Sequence, residues 1–327
     1  MRLKLKRTFA ALLFIALFFS LHSKLSFAQT GAQSQTHESA RSDKFTGGRI
    51  ERAAFEPGQP DIEITVNVPA FRLTLWQNNK EVAVYPIGVG LKEFPISIGE
   101  RKASEVIWNP SWIPPHSDWV RGMEGVQPGE VIKATDPRNP LGKLKITLGS
   151  GYLIHQAAKT TDLGNLVSHG CVRMLRRDLY DLAEKIVAAR SLPVTKRQIE
   201  RAKVGSRMLV AALDEPLTVD INYDTEVVEA GVLHLYPDVY DRGTDTIERL
   251  RAELEASGVD ESSVSDATLR RMLARPNKSQ EYAVSVESIN ANRALADGRN
   301  RSLVTGQAVR TNTRRRAGAA QRSSSTR

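Results

Sequence analysis

The chain runs to 327 residues, 41% hydrophobic and 25% charged, enough apolar material for one large domain or two small ones. Its formal charge of +9 sits at the two ends: five cations precede Gln29, and eight arginines with no acid lie between Arg299 and Arg327. The middle is therefore net acidic, which excludes a nucleic-acid-binding domain, and a single cysteine, Cys171, excludes an intrachain disulfide.

The first residues, "MRLKLKR", are basic, Phe9 to Leu21 is apolar, and Ser26 and Ala28 are small at the −3 and −1 positions. This pattern predicts a cleaved secretory signal over residues 1–28; an uncleaved anchor would want about 20 apolar residues. Residues 29–58 are polar and read as a linker. From there a main domain is expected over 59–242. Ile62, Ile64, Val66 and Val68 alternate as in a half-buried strand. "FRLTLWQNNKEVAVYPIGVG" reads as a hairpin turning at Gln77-Asn78-Asn79-Lys80, where Asn tolerates positive φ. A loop from "NPSWIPP" to "DPRNPLG" follows, with Trp108, Trp112 and Trp119 clustered as either a cleft wall or a loop pinned by aromatic burial. "KLKITLGSGYLIHQ" gives two strands broken at Gly149-Ser150-Gly151.

Beyond Cys171 the period becomes helical, with Leu179, Leu182, Ala183, Ile186 and Val187 on one face and Asp178 as N-cap. Thr195 and Gln198 form a capping box for a short helix through Ile199. Strands resume at "RMLVAAL", "PLTVDINYDTEVV" and "GVLHLYPDVY". A helical extension over 243–276 holds a helix from Thr246 to Ser257, capped by Asp245 and ended by Gly258. Apolar periodicity then fades, and 277–327 reads as a disordered basic tail, either drawn to anionic polymer or headgroups or simply solvated without function.

The stretch "HQAAKTTDLGNLVSHGC", His155 to Cys171, raises three readings. Cys171 as a small core residue beside Val172 and Met174 conflicts with the polar, turn-prone Ser168-His169-Gly170 before it. A zinc site built on His155, His169 and Cys171 lacks a fourth ligand, and no HExxH pattern exists. Nucleophilic catalysis needs a thiolate, hence a base or positive neighbour, and amides to hold an oxyanion. A strand ending at His155, a returning loop, Gly170 clearing space and Cys171 leading into a helix from about Arg176 supply these needs, and the layout favours this third reading.

"IHQAAKTTDLGNLVSHGCVRM" resembles the active-site signature of L,D-transpeptidases with a YkuD-type catalytic domain: a histidine after a strand, a dozen or more residues, then Ser/Thr-His-Gly-Cys, an aliphatic residue and Arg or Asn. His155, Ser168, His169, Gly170, Cys171, Val172 and Arg173 match, and the likeness extends over about Asp61 to Tyr240. It implies a mainly β, α+β fold: a sandwich of mixed sheets with a helix after the cysteine, plus the C-terminal helices. It implies that Cys171 attacks the L,D bond of a peptidoglycan tetrapeptide stem, with His155 as proton acceptor and donor. Backbone amides near His169, Gly170 and Cys171 would hold the oxyanion, Arg173 would brace the loop or meet substrate, and Ser168 and Trp112 would shape the site. The partners implied are stem peptides and, as an alternative acceptor, an anchored envelope protein, at a periplasmic or cell-envelope location; no cofactor, metal or nucleic acid is implied. Gln156-Ala157 stand where many members have Gly-Thr, and Phe94-Pro95 with "SIGERKASEV" where many have Thr-Pro. A hydrolase using the same thioester and a non-catalytic wall-binding protein are the competing functions. His116 and His234, without partner motifs, read as structural or exposed.

Overall fold

The computed structural model describes residues 62–304, except 191, 261 and 262. The signal over 1–28, the linker over 29–58 and the tail beyond 304 lie outside the described residues. Among the described residues, no helix is long and apolar enough to cross a membrane.

Alternation builds the first strands as expected. In β1 (Ile62–Asn67) Ile62, Ile64 and Val66 are buried while the residues between them are not. β2 (Arg72–Gln77) and β3 (Lys80–Pro86) pair antiparallel through a turn in which Asn78 and Asn79 take φ of 51° and 59°. Both angles are left-handed, as this turn type demands. The short β4 (Val89–Gly90) follows, then the long β5 (Gly99–Trp108). β6 (Leu144–Thr147) and β7 (Leu153–Gln156) are the two strands expected either side of Gly149-Ser150-Gly151 and pair antiparallel. β8 (Leu166–Ser168), β9 (Val172–Met174) and β10 (Leu209–Asn222) complete the set. One sheet runs β3-β2-β1-β10-β5-β6-β7-β9, antiparallel except for the β1–β10 and β7–β9 pairs, and β4 pairs with β8 beside it.

β10 unites two segments read from the sequence as separate strands. Its register against β5 shifts between Ala212 and Leu217, where Pro216 has no N–H to give the ladder. Helix α1 (Asp118–Arg121) lies in the loop after β5. Helix α2 (Arg176–Ala189) covers one face of the sheet: Leu179, Leu182, Ala183 and Ile186 share the main core with Ile146, Ile154, Val172 and Met174. Its N-cap is Leu175, without a side-chain bond, so Asp178 is not the cap. Asp178 lies inside the first turn, where a carboxylate complements the helix dipole, and pairs with Arg177 at 3.0 Å. Helix α3 (Lys196–Val204) outlasts the expected Ile199 but begins at the expected box. Gln198 N donates to Thr195 Oγ1 at 3.3 Å, and Thr195 N donates to Gln198 Oε1 at 2.8 Å. Thr195→Ala should cost about 1 kcal/mol in urea unfolding, because the first-turn donor then lacks an acceptor.

A second sheet corrects two expectations. β11 (Glu226–Glu229), β12 (Val232–Leu235), β13 (Gln280–Ser285) and β14 (Arg299–Ser302) pair in that order. The sheet crosses the boundary placed at 242, and α4 (Ile247–Ala256) and α5 (Asp266–Leu273) connect β12 to β13 instead of forming a separate extension. Residues 277–304 are not a disordered tail. They add β13, α6 (Val286–Asn290), α7 (Ala294–Asp297) and β14. Their sparse apolar residues, Tyr282, Val284, Ile289 and Ala294, are all buried with Leu235, Leu250, Leu254 and Met272, too thinly spaced to show a period. Arg299 and Arg301 are exposed charges on an edge strand, a common guard against further pairing. The cap of α4 is Thr246, which accepts from Arg249 N at 3.3 Å; Asp245 precedes it. The two sheets meet through Arg72 and Glu229 at 2.9 Å and through Asn67 Nδ2, which donates to Asp224 O at 3.1 Å. The mainly β, α+β class thus holds, as mixed sheets with helices.

Candidate functional site

Strand register brings the signature together. In the parallel β7–β9 pair, Ile154 is opposite Val172 and His155 opposite Arg173. Ile154, Val172 and Met174 are fully buried toward α2. Side chains alternate along a strand, so Leu153, His155, Cys171 and Arg173 share the other face. Over that face sits the loop after β5, with its own small core of Trp112, Val120, Val126, Ile132 and Leu141, against which Leu153 packs. Cys171 does not stand where a strand meets a helix. β9 separates it from α2, so the helix N-terminus is not at the thiol. A three-residue strand, "VRM", is too short to announce itself by period.

The turn before the thiol is tightly built. Gly170 has φ of +106°, and a Cβ there would lie 2.9 Å from Tyr152 Cε1. The glycine thus serves backbone conformation and Tyr152 packing. Ser168, buried, donates to Cys171 O at 2.5 Å. The His169 ring lies between two aromatics: Trp119 stacks on it at 4.1 Å with 9° between planes, and Phe94 meets it edge-on at 4.7 Å. Trp112 stands one ring further out, 6.3 Å from Trp119, and is buried in the loop core. It supports the wall, and Trp119 forms it. Trp108 is buried in the main core, away from this pair. Sequence reasoning named the tryptophan cluster but could not sort its members, and it missed Phe94 and Leu153 as neighbours of the turn.

His155 is buried, and its Nδ1 is 3.1 Å from Gln156 O. A carbonyl only accepts, so Nδ1 carries the proton and Nε2 keeps its lone pair. Burial, with the Arg173 guanidinium adding to it, brings the His155 pKa down to about 3. Burial also pushes the Cys171 thiol above its ordinary value, while the Leu153 backbone hydrogen bond and Arg173 pull the other way. His169 is lowered by burial and by Arg173. Both shifts favour the uncharged forms, a neutral thiol and a neutral imidazole, over the ionised sulfur expected from sequence. Taking two charges out of water costs more than their attraction returns unless further groups satisfy them.

Arg173 braces the loop. Its Nη1 lies 3.4 Å from Asp162 Oδ2, which accepts from Ala158 N at 2.8 Å and Lys159 N at 3.3 Å. Asp162, a buried carboxylate on a short turn that accepts from two backbone amides, was missed, and its residue type alone gave no signal. Gln156, the departure from the family pattern, accepts at Oε1 from Lys143 N at 3.1 Å and Arg176 Nε at 3.2 Å. Its side chain ties β7 to the start of β6 and to α2, while its backbone carbonyl meets His155. A groove of about 710 Å³ beyond it is lined by Ala157, Lys159, Arg176, Arg177 and Tyr180, and includes neither the thiol nor His155. His234 pairs with Glu281 at 3.0 Å in the second sheet, and His116 is exposed. Among the described residues, no group of three or more His, Cys, Asp or Glu side chains is arranged to hold a metal ion.

Residues 61–207 match the family model described as YkuD, the L,D-transpeptidase catalytic domain. A probable L,D-transpeptidase of Escherichia coli K12, YbiS, is 30% identical over 130 residues, 38% of this chain and 41% of that protein. A second from the same organism, ErfK/SrfK, is 27% identical over 202 residues, 59% of this chain and 53% of that protein. The chain thus spans about half the length of these relatives or less. Among solved structures, an L,D-transpeptidase from Mycobacterium smegmatis matches with 12% identity and a TM-score of 0.31, covering 50% of this chain and 59% of that one. L,D-transpeptidase 3 from Mycobacterium tuberculosis, in complex with a faropenem-derived adduct, matches with 14% identity and a TM-score of 0.31, covering 50% and 60%.

Proposed function

From the match of residues 61–207 to the YkuD L,D-transpeptidase catalytic-domain model, we propose that this protein is an exported peptidoglycan L,D-transpeptidase with Cys171 as nucleophile. The observation that carries the reading is the β7–β9 pairing, which sets His155 beside the strand that Cys171 leads into, with the Nδ1 proton of His155 engaged by Gln156 O and Nε2 left as the acceptor. The thiol gives its proton to Nε2 as sulfur adds to the carbonyl of the L,D bond before the terminal D-Ala. Backbone amides of the His169–Cys171 turn face the developing oxyanion. Collapse breaks the C–N bond, the imidazolium returns its proton to the leaving amine, and D-Ala departs from a thioester. An acceptor amine, on a second stem or a lysine of an envelope protein, then adds to the thioester carbonyl while Nε2 takes its proton; the thiolate leaves and is reprotonated. Ionisation occurs only during attack, which suits a site that keeps both partners neutral at rest.

Incubation of the protein with tetrapeptide muropeptides should give cross-linked dimers by mass spectrometry, absent with Cys171→Ala. Shortened monomers alone would make water the acceptor and the protein a hydrolase. No product, together with an unmodified Cys171 after carbapenem exposure, would leave wall binding without catalysis.

A further inference from the structure

The His169–Cys171 turn is held partly by a residue outside 61–207. β4 pairs with β8, Gly90 opposite Ser168, and Leu91 N donates to Ser168 O at 2.8 Å. Gly90 approaches so closely that a Cβ would lie 3.0 Å from Gly170 Cα and 2.2 Å from Phe94 O. The segment from Gly90 to Ile96 is thus one wall of the turn, and its Phe94 ring meets His169. Tyr240 closes both ends of that segment with one oxygen. Its hydroxyl donates to Gly90 O at 3.0 Å and accepts from Ile96 N at 3.4 Å. Tyr240 is itself fixed: its N donates to Tyr223 Oη at 2.7 Å, and Tyr223 Oη donates to Asp238 Oδ1 at 2.5 Å. The two rings stack at 5.6 Å, and the Arg242 guanidinium lies 4.7 Å from the Tyr223 ring. Asp241 pairs with Lys92 of the same wall segment. Behind the loop leading to β8, Val304 packs so near Gly164 that a Cβ there would lie 2.5 Å from Val304 Cγ2.

We propose that Tyr240 is a positioning residue for acyl transfer at Cys171, clamping the Gly90–Ile96 wall and through it the His169–Cys171 turn. The part of the chain beyond the family domain then completes the site. A phenol making two backbone bonds to one loop limits that loop to one arrangement, and turn geometry decides whether amides and sulfur meet a carbonyl together. This rests on the acyl-transfer reading for its kinetics but not for its structural consequence.

Tyr240→Phe keeps the ring, its stacking and its burial and deletes the hydroxyl alone. Tyr282→Phe is the control, losing a buried bond in the same C-terminal unit, from Tyr282 Oη to Ala294 O at 2.5 Å. In Tyr240→Phe the saturating rate of Cys171 acylation by a carbapenem should fall about tenfold, with half-saturation changed less than about twofold. Alkylation by iodoacetamide, which needs no oxyanion, should stay within about twofold, and amide hydrogen exchange at residues 168–171 should rise at least about fivefold. Tyr282→Phe should lower the melting temperature and leave those rates at the wild-type level. Equal acylation in Tyr240→Phe and wild type, or a parallel loss in Tyr282→Phe, overturns the proposal. A wild type that forms no acyl-enzyme with carbapenem or tetrapeptide refutes the acyl-transfer reading instead. Exchange then decides the clamp by itself, and unchanged protection at residues 168–171 sinks it.

Discussion

Cys171→Ser should lower acyl-enzyme formation by at least about a thousandfold, and Cys171→Ala should abolish it, with the fold intact in both. A hydroxyl is a far weaker acid than a thiol, and the base available here is unusually weak. His155, with its pKa brought down to about 3, can take a proton only from a group that becomes much more acidic as it attacks. Serine therefore does not substitute, although it fits the space. Because Cys171 is only partly buried, both variants should melt close to wild type, which separates lost chemistry from lost structure. The same electrostatics fixes the pH behaviour of the free thiol. Burial raises its pKa, so alkylation by iodoacetamide should keep climbing as pH rises past the ordinary cysteine range. A plateau near pH 6 would reveal a resting thiolate–imidazolium pair and contradict this electrostatic account.

The sequence made part of this legible because some side chains declare their role locally. Asn78-Asn79 fixed a hairpin through left-handed φ, Thr195 and Gln198 fixed a helix start, and the Ser168-His169-Gly170-Cys171 run marked the site. What escaped depends on contacts between distant segments. β9 exists because Val172 and Met174 pair with β7, and nothing within three residues encodes that partner. Residues 277–304 bury few apolar side chains, all in one small cluster, too thinly spaced to give a periodicity. Asp162 and Tyr240 act on backbone atoms, which leave no trace in residue identity at the receiving end. The shifts that favour a neutral thiol and a neutral imidazole come from burial, which residue identity does not encode.

His155→Gln should lower kcat for acylation by about a hundredfold or more, through loss of the base, and should also change how stability responds to acid. The sign follows from the direction of the shift. The folded-state pKa of about 3 lies below the ordinary 6.5, so between those values the unfolded chain binds a proton that the folded one refuses. Stability from this group is full above pH 6.5 and is lost as pH falls, at up to about 1.4 kcal/mol per pH unit, or about 2 kcal/mol at pH 5. Glu226 works against it. Burial brings its pKa from 4.5 up to about 7, so its folded form gains a proton in that window and stability rises as pH falls from 7 toward 4.5. His169, lowered as well, adds a slope of the same sign as that of His155, so the informative quantity is the difference between wild type and variant. His155→Gln removes the His155 slope and keeps the rest, so on acidification from pH 7 to pH 5 its urea midpoint should rise relative to that of the wild type, whatever constant offset the substitution adds. Parallel midpoints in wild type and variant across pH 7 to 5 would mean that the imidazole titrates normally in the fold. His155 would then be open to water, and the buried, neutral base on which the proposed chemistry depends would not exist.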